Sequence, residues 1–304
     1  MTLQQLRQVL TIAESNSMNE AAKKLFVSQP NLSATVREVE EELGITVFMR
    51  NNRGITVTAE GEEFLGYAKQ VVEQYHLLEN RYLNVESKKK FSVSMQHYSF
   101  AVKAFVQLAK EVGMDEYEFA VHETKTKEVI DNVKNLKSEI GVLYLSDFNE
   151  KVLRKLFKEC DIEFKELFTC NTYVYLWKKH PLAGKKVITL DDLQEYPCLT
   201  FEQGVNNSFY YAEEMMSTYE YKRVIKADDR ATMLNLMVGL NGFTLCSGII
   251  SEDLNGDDYA AIPLKESEKM HIGYIKHKGT KLSKLGEIYI DALKNCLLYT
   301  SDAA

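Results

Sequence analysis

Ser28-Gln-Pro-Asn31, followed by Ser33, Ala34, Thr35 and Arg37, brings together side chains that read base edges and grip phosphates. Gln29 carries an amide that donates and accepts at once, as bidentate pairing with adenine requires; Pro30 and Ala34 are small enough for close approach and for contact with a thymine methyl group. Asn31, Ser33 and Thr35 fall on the flanks of the same helical stretch, where phosphate contacts are natural. Ser28 can cap that helix, and a helix N-terminus turns free N–H groups and a partial positive charge toward phosphate. Further on, Arg50-Asn-Asn-Arg53 is turn chemistry carrying two positive charges that can reach phosphates or the minor groove. Taken singly, Ser28 reads equally well as a plain cap and Arg37 as a solvated side chain.

A second constellation gathers at the ends of strand-like runs. Ser94, Gln96, His97, Tyr98 and Ser99 follow one run, Thr124, Lys125 and Thr126 another, and Thr200, Phe201 and Glu202 a third, with Arg230 at a helix start. Ligands of open α/β sheets bind at this carboxyl edge, where helix N–H groups and loop side chains lack partners. Hydroxyls, amides and one or two cations there suit a small polar or carboxylate metabolite, although Glu202 equally suits an amine. Ser99 and Thr126 read as well as helix caps. Motifs for catalysis are missing: the chain has no G-x-S-x-G, H-E-x-x-H, P-loop or dinucleotide fingerprint. His97 and His122 read as pocket-lining or exposed, Asp228-Asp229 as a helix cap, and Tyr210-Tyr211 as packing. The expectation is a protein that is not an enzyme and uses neither cofactor nor metal.

These groups need elements to hold them. Leu3, Leu6, Leu10 and Ala13 recur at helical spacing and predict a first helix from Leu3 to about Ser15. Ser17 then offers a cap for a short helix around Glu20–Leu25. The third helix runs from Ser28 to Leu43 and stops at Gly44; Leu32, Val36, Val39 and Leu43 share one face, and Pro30, Ala34 and Arg37 point the opposite way. Ile45–Phe48 and Gly54–Val57 read as two strands of a wing around Arg50 and Arg53. After Thr58, Phe64, Ala68, Val71, Tyr75, Leu78, Tyr82 and Val85 alternate spacings of four and three, the seam of a coiled coil that pairs with its twin.

Beyond the polar hinge Ser87–Lys90, strand-like and helical runs alternate, which predicts an open α/β sheet. Strands are expected at Phe91–Met95, Tyr117–Glu123 and Ile140–Ser146, with helices near Tyr98–Val112, Lys127–Leu136 and Glu150–Lys158. A second unit starts at Ile162, with strands near Ile162–Phe168, Thr172–Trp177, Cys198–Phe201, Arg223–Ala227 and Phe243–Ser247, and helices near Asn207–Thr218 and Arg230–Val238. Met270–Lys276 and a helix near Ser283–Leu293 return to the first unit. Two lobes with crossovers imply a cleft.

Length and composition agree with two or three ordinary globular domains: 304 residues, 45% hydrophobic, only four prolines. Five scattered cysteines without a C-x-x-C pair read as core residues in a reducing cytosol, and the amphipathic N-terminus is no secretory signal, so a cytoplasmic location without membrane contact is expected. The net charge of −7 argues against a nucleic-acid partner, and Met1–Thr58 is itself balanced at six basic and six acidic residues. Charge placement decides the matter: Glu38 and Glu40 to Glu42 all lie behind the polar half of the third helix.

The N-terminal quarter resembles the LysR family of bacterial transcriptional regulators. The resemblance rests on Leu3-Gln-Gln-Leu6, Ala13-Glu14, Ser17, Ala21-Ala22, Leu25, Ser28-Gln-Pro30, Leu32-Ser33, Val36, Glu40, Leu43-Gly44, Phe48, Arg50, Arg53, Thr56, Thr58 and Gly61. Where Ala34 stands, the family often carries a longer basic or polar side chain. The resemblance implies a winged helix-turn-helix over 1–58, a dimerising linker helix and hinge over 59–90, and over 91–295 a two-lobed α/β effector-binding domain like the periplasmic binding proteins. Lobe I is expected at about 91–161 and 266–295, lobe II at about 162–265. By the same resemblance Tyr144 or Ser146 joins the cleft, the partners are promoter DNA, a small-molecule effector and a second copy of the chain, dimers can pair into tetramers, and RNA polymerase is a compatible further partner. Residues 296–304 resemble translated sequencing-adapter sequence, with a disordered tail as the alternative. Rival functions are a solute-binding protein or enzyme built on the same lobes, and an architectural DNA-binder with a vestigial sensing domain.

Overall fold

The computed structural model describes residues 1–15, 17–51, 54–82, 88–113, 116–205 and 208–298. The chain divides into two compact units, Met1–Ser87 and Lys88–Ala304.

In the first unit, α1 (Leu3–Ala13), α2 (Met18–Lys24) and α3 (Gln29–Leu43) precede the hairpin of β1 (Phe48–Asn51) and β2 (Gly54–Val57), and α4 (Ala59–Tyr82) follows. Each early helix starts on the cap its sequence offers: the side chains of Thr2, Ser17 and Ser28 accept backbone N–H bonds from Gln5, Glu20 and Asn31. Gly44 ends α3 in the left-handed conformation at φ 69°, which a residue without Cβ adopts freely. Val9, Ile12, Ala21, Leu32, Val36 and Val39 form the core, each large side chain contributing roughly 1.5–3 kcal/mol by leaving water. Leu43, expected on the same buried face, is 38% exposed.

Two expectations for this unit need correction. The first wing strand is Phe48–Asn51 rather than Ile45–Phe48, because the Glu40 carboxylate takes the N–H groups of Val47 (2.7 Å) and Phe48 (3.0 Å) and holds that stretch against α3. The heptad seam is also split. Ala68 is buried with Leu6 and Val72, and Phe64 packs on both that cluster and the core beneath α3. The first turns of α4 therefore belong to the fold of the unit itself, and Gly61 fits only because it has no side chain: an added Cβ would meet the Val47 carbonyl oxygen at 2.4 Å. Val71, Tyr75 and Leu78 stay exposed, together with Tyr67, which the heptad reading missed. Val85 and the side chain of Tyr82 lie outside the described residues.

The second unit holds two lobes. Lobe I is a five-stranded sheet in the order β4-β3-β5-β12-β6, formed by β3 (Lys89–Met95), β4 (Tyr117–Glu123), β5 (Ile140–Leu145), β6 (Ile162–Asn171) and β12 (Lys269–His277). The pairings of β3 with β4 and β5 are parallel; β12 is antiparallel to β5 and β6. Helices α5 (Ser99–Val112), α6 (Thr126–Lys134), α7 (Glu150–Glu159) and α11 (Lys284–Leu298) belong to this lobe. Lobe II contains β7 (Tyr173–Trp177), α8 (Leu190–Leu193), β8 (Cys198–Phe201), β9 (Val224–Ala227), α9 (Arg230–Leu240), β10 (Thr244–Cys246), α10 (Glu252–Asn255) and β11 (Tyr259–Pro263). Its strands form an antiparallel group β10-β7-β11 and a parallel pair β8-β9.

Here too the fold departs from expectation. The strand beginning at Ile162 lies in the sheet of lobe I, along β12, so the crossover comes at Thr172 instead of Ile162. Thr172 bonds Ser267 Oγ through its N–H (2.8 Å) and the Glu268 carbonyl through its hydroxyl (2.9 Å), tying the outgoing crossover to the returning one. Only a 3-10 turn, Phe209–Tyr211, forms within the helix expected near Asn207–Thr218, because side chains of lobe I capture its carbonyls: Thr126 bonds that of Tyr211 (2.7 Å) and Tyr144 that of Ala212 (3.0 Å). At the other end of the chain α11 continues to Leu298, past the break expected at Cys296; residues 299–304 lie outside the described residues.

Candidate DNA-binding and effector-binding sites

On α3 the buried stripe of Leu32, Val36 and Val39 fixes which residues face outward. Ser28, Pro30, Asn31, Ala34 and Arg37 are exposed, and Gln29, Ser33 and Thr35 partly so. Gln29 donates from Nε2 to Ser33 Oγ at 2.9 Å, which pre-orients its amide along the helix surface. Thr35 spends its hydroxyl on the Asn31 carbonyl one turn back (3.2 Å), which leaves its methyl group for outside contact. The hairpin pairs Phe48 with Val57 through Asn51 with Gly54, placing Arg50 in β1. Arg53 and the side chain of Arg50 lie outside the described residues.

The cleft between the lobes encloses about 680 Å³ together with its open mouth. Five expected effector residues line it: His97, Tyr98, Ser99, Phe201 and Arg230. The others lie outside its lining, most of them engaged in protein contacts. Ser94 is fully buried and bonds Ser138 Oγ (2.8 Å). Gln96 gives its amide N–H to Thr126 (2.6 Å) and accepts from Tyr98 OH (2.9 Å) and the Tyr144 N–H (3.2 Å). The Ser146 N–H donates to Asn149 Oδ1 (2.8 Å), and the Thr124 hydroxyl bonds Glu128. Lys125 pairs with Asp228 (3.5 Å), Glu202 pairs with Lys226 (3.4 Å) and accepts the Gly204 N–H (2.9 Å), and Thr200 sits in β8 opposite Lys226.

Glu213 and Glu214 lie at the centre of the cleft, and sequence reasoning missed both. The Glu213 carboxylate accepts the His97 N–H (3.0 Å), contacts His97 Nδ1 (2.7 Å) and takes the Gln203 amide (2.9 Å); His97 in turn stacks on Phe201 with ring centroids 3.6 Å apart. Arg230, at the start of α9, reaches Glu123 of lobe I (2.8 Å). The contacts of His97 with Glu213 and Phe201 and of Arg230 with Glu123 run from one lobe to the other. The only sequence signal was a pair of acidic residues followed by Met215-Met216, inside the helix expected near Asn207–Thr218.

Burial, together with the neighbouring Glu213, pushes the Glu214 carboxyl up to about 8. The folded state thus keeps a proton that the unfolded chain releases near the ordinary glutamate value of about 4.3. This group withdraws stability as pH rises from about 5 to about 8, and the loss is complete above that window. Glu214→Gln has no proton to lose and retains an acceptor oxygen for the Phe201 N–H. It is expected to match the parent near pH 5 and to exceed it near pH 9 by on the order of a few kcal/mol in urea unfolding. Parallel pH profiles for the two proteins would contradict the buried acid.

A winged helix-turn-helix unit and a two-lobed α/β unit with a cleft between its lobes define a transcriptional regulator with a DNA-binding part and an effector-binding part. The family model for the bacterial regulatory helix-turn-helix protein of the lysR family matches residues 3–62, and that for the LysR substrate binding domain matches residues 114–297. The chain belongs to the LysR family of transcriptional regulators. It is 25% identical to the HTH-type transcriptional regulator CysL of Bacillus subtilis over 301 residues, covering 95% of this chain and 96% of that one. The uncharacterized HTH-type transcriptional regulator YbhD of Escherichia coli is 22% identical over 305 residues, covering 99% and 92%. Among solved structures, full-length OxyR from Pseudomonas aeruginosa superposes with a TM-score of 0.70 at 19% identity, covering 97% of this chain and 95% of that one. Full-length CbnR complexed with its target DNA gives 0.60 at 17% identity, covering 97% and 100%. At such identities the structural likeness concerns the fold.

Proposed function

We propose that this regulator is a cytoplasmic, non-enzymatic dimer that binds a promoter through α3 and the wing and answers a small molecule held between the lobes of its second unit. One observation carries the DNA reading: the capped N-terminal half of α3 exposes small and amide side chains over a fully buried apolar stripe, with every acidic residue of the helix behind them. Gln29, Pro30 and Ala34 read base edges, Ser28, Asn31, Ser33, Thr35 and Arg37 flank them at the backbone, and Arg50 and Arg53 supply positive charge for phosphates or the minor groove. The exposed stripe Tyr67, Val71, Tyr75 and Leu78 on α4 makes the dimer contact. Pairing of dimers and contact with RNA polymerase are compatible with this arrangement. No helix among the described residues is long and apolar enough to cross a membrane.

For the effector, support comes from the cleft itself: His97, Tyr98, Ser99, Phe201 and Arg230 line it together with groups of both lobes. A ligand that binds the closed and open lobes unequally shifts their balance, which is how occupancy would be read out. Footprinting the full-length protein on the DNA flanking its own gene tests the reading. A discrete protected site that survives excess competitor DNA is expected; equal protection of any sequence would favour the architectural alternative.

A further inference from the structure

The charges of the cleft are already matched among themselves in one sign only. The arginine of its lining, Arg230, is engaged by Glu123 at 2.8 Å, and His97 Nδ1 is taken up by Glu213 at 2.7 Å. Glu214 is 5% exposed, lines the same cleft, accepts the Phe201 N–H at 2.8 Å, and has no cationic partner among the described residues. Thr244 lines the same cavity, is 6% exposed, and its hydroxyl has no hydrogen-bond partner among the described residues. A buried hydroxyl left unpaired is costly, so such a group marks a place where something else completes the bond. The remaining walls are mostly apolar and include Phe201, Met233, Met237, Ile250 and Met270.

We propose that the cleft takes an apolar amine: an aromatic or alkyl body seated on Phe201, Met233 and Met237, a protonated amino group beside Glu214, and a hydrogen-bonding contact to Thr244. The proposal rests on the reading of this cleft as the effector site and adds the chemical class of the effector. An anionic ligand would meet two carboxyl groups and no unengaged cation, and a charge buried without a partner is disfavoured. An ammonium group meets the opposite situation: it displaces to solvent the proton that buried Glu214 otherwise keeps up to about pH 8, and the low-dielectric wall strengthens its attraction to the carboxylate so formed while its N–H groups serve as donors. Methionine side chains adapt to irregular aromatic or alkyl shapes. The metabolite class suggested by hydroxyls and cations alone changes because the cations turn out to be spoken for and the decisive acid is Glu214.

Three probes with one body and different heads decide the matter: 2-phenylethylamine, 2-phenylethanol and phenylacetate, titrated calorimetrically into the full-length protein near pH 7.5. The amine is expected to saturate with at least about tenfold higher affinity than the alcohol and about a hundredfold higher affinity than the acid. Glu214→Gln should bring the amine down to the level of the alcohol, and Met237→Trp, which fills the cavity, should abolish binding. Equal binding of amine and alcohol, preference for phenylacetate, or saturation by none of the three up to about 10 mM overturns the amine assignment. Tight amine binding that persists in Met237→Trp instead places the site elsewhere and overturns the reading of the cleft. The three-probe comparison uses the unaltered protein, so it decides the class even if a variant fails to fold.

Discussion

Ala34→Glu is expected to abolish promoter binding while leaving the protein folded. Ala34 is exposed on the outer face of α3, one position beyond the Gln29–Ser33 hydrogen bond, and its methyl group supports nothing in the core formed by Leu32, Val36 and Val39. A glutamate there adds bulk where the helix must approach the groove and sets a negative charge against phosphates. For comparison, Gln29→Ala removes one bidentate contact, a loss of about 1–3 kcal/mol or roughly tenfold to a hundredfold. The glutamate should exceed that, with a loss of at least about a hundredfold at fixed salt. Fluorescence anisotropy on a promoter duplex measures the affinity, and a thermal melt checks the fold. Retained affinity would remove α3 from the groove.

The double change Val71→Lys with Leu78→Lys is expected to convert the protein to a monomer. Val71 is 51% exposed and Leu78 56% exposed on α4, so neither substitution disturbs the packing of Ala68 and Val72 against Leu6. Four added charges at the meeting of two copies repel each other and remove the apolar area that would hold the helices together. Loss of one half-site partner should also weaken promoter binding by about a hundredfold or more, because the second contact is no longer made at high effective concentration. Light scattering reads the mass, and circular dichroism should be unchanged. An intact dimer would move the interface away from this stripe. The same double change at Phe64 and Ala68 would unfold the unit, since these residues are packed within it.

The sequence by itself determined whatever follows from periodicity and capping. Ser17 and Ser28 cap the helices they precede, and α3 runs from Gln29 to Leu43 as its apolar stripe requires, because capping and amphipathic patterning are local rules. The family was equally legible, since its motif residues are strung along a single short unit. Tertiary structure alone decided which groups remain free. Glu40 redirects the start of the wing by bonding Val47 and Phe48; α1 claims Phe64 and Ala68 from a seam whose spacing fits a coiled coil equally well; and β6 joins the first sheet because pairing partners cannot be read from a strand's own pattern. Beside the cleft, Ser94, Gln96 and Thr126 have the right chemistry for a ligand, but Ser94 is taken by Ser138, and Gln96 and Thr126 satisfy each other and the segment around Tyr211. Glu213 and Glu214 fold back on the end of β8 within lobe II, and Glu213 reaches His97 only when the two lobes meet. Hydrogen-bonding capacity belongs to a residue type, whereas its availability is settled by neighbours that the chain brings from more than a hundred positions away, as Glu213 is brought to His97.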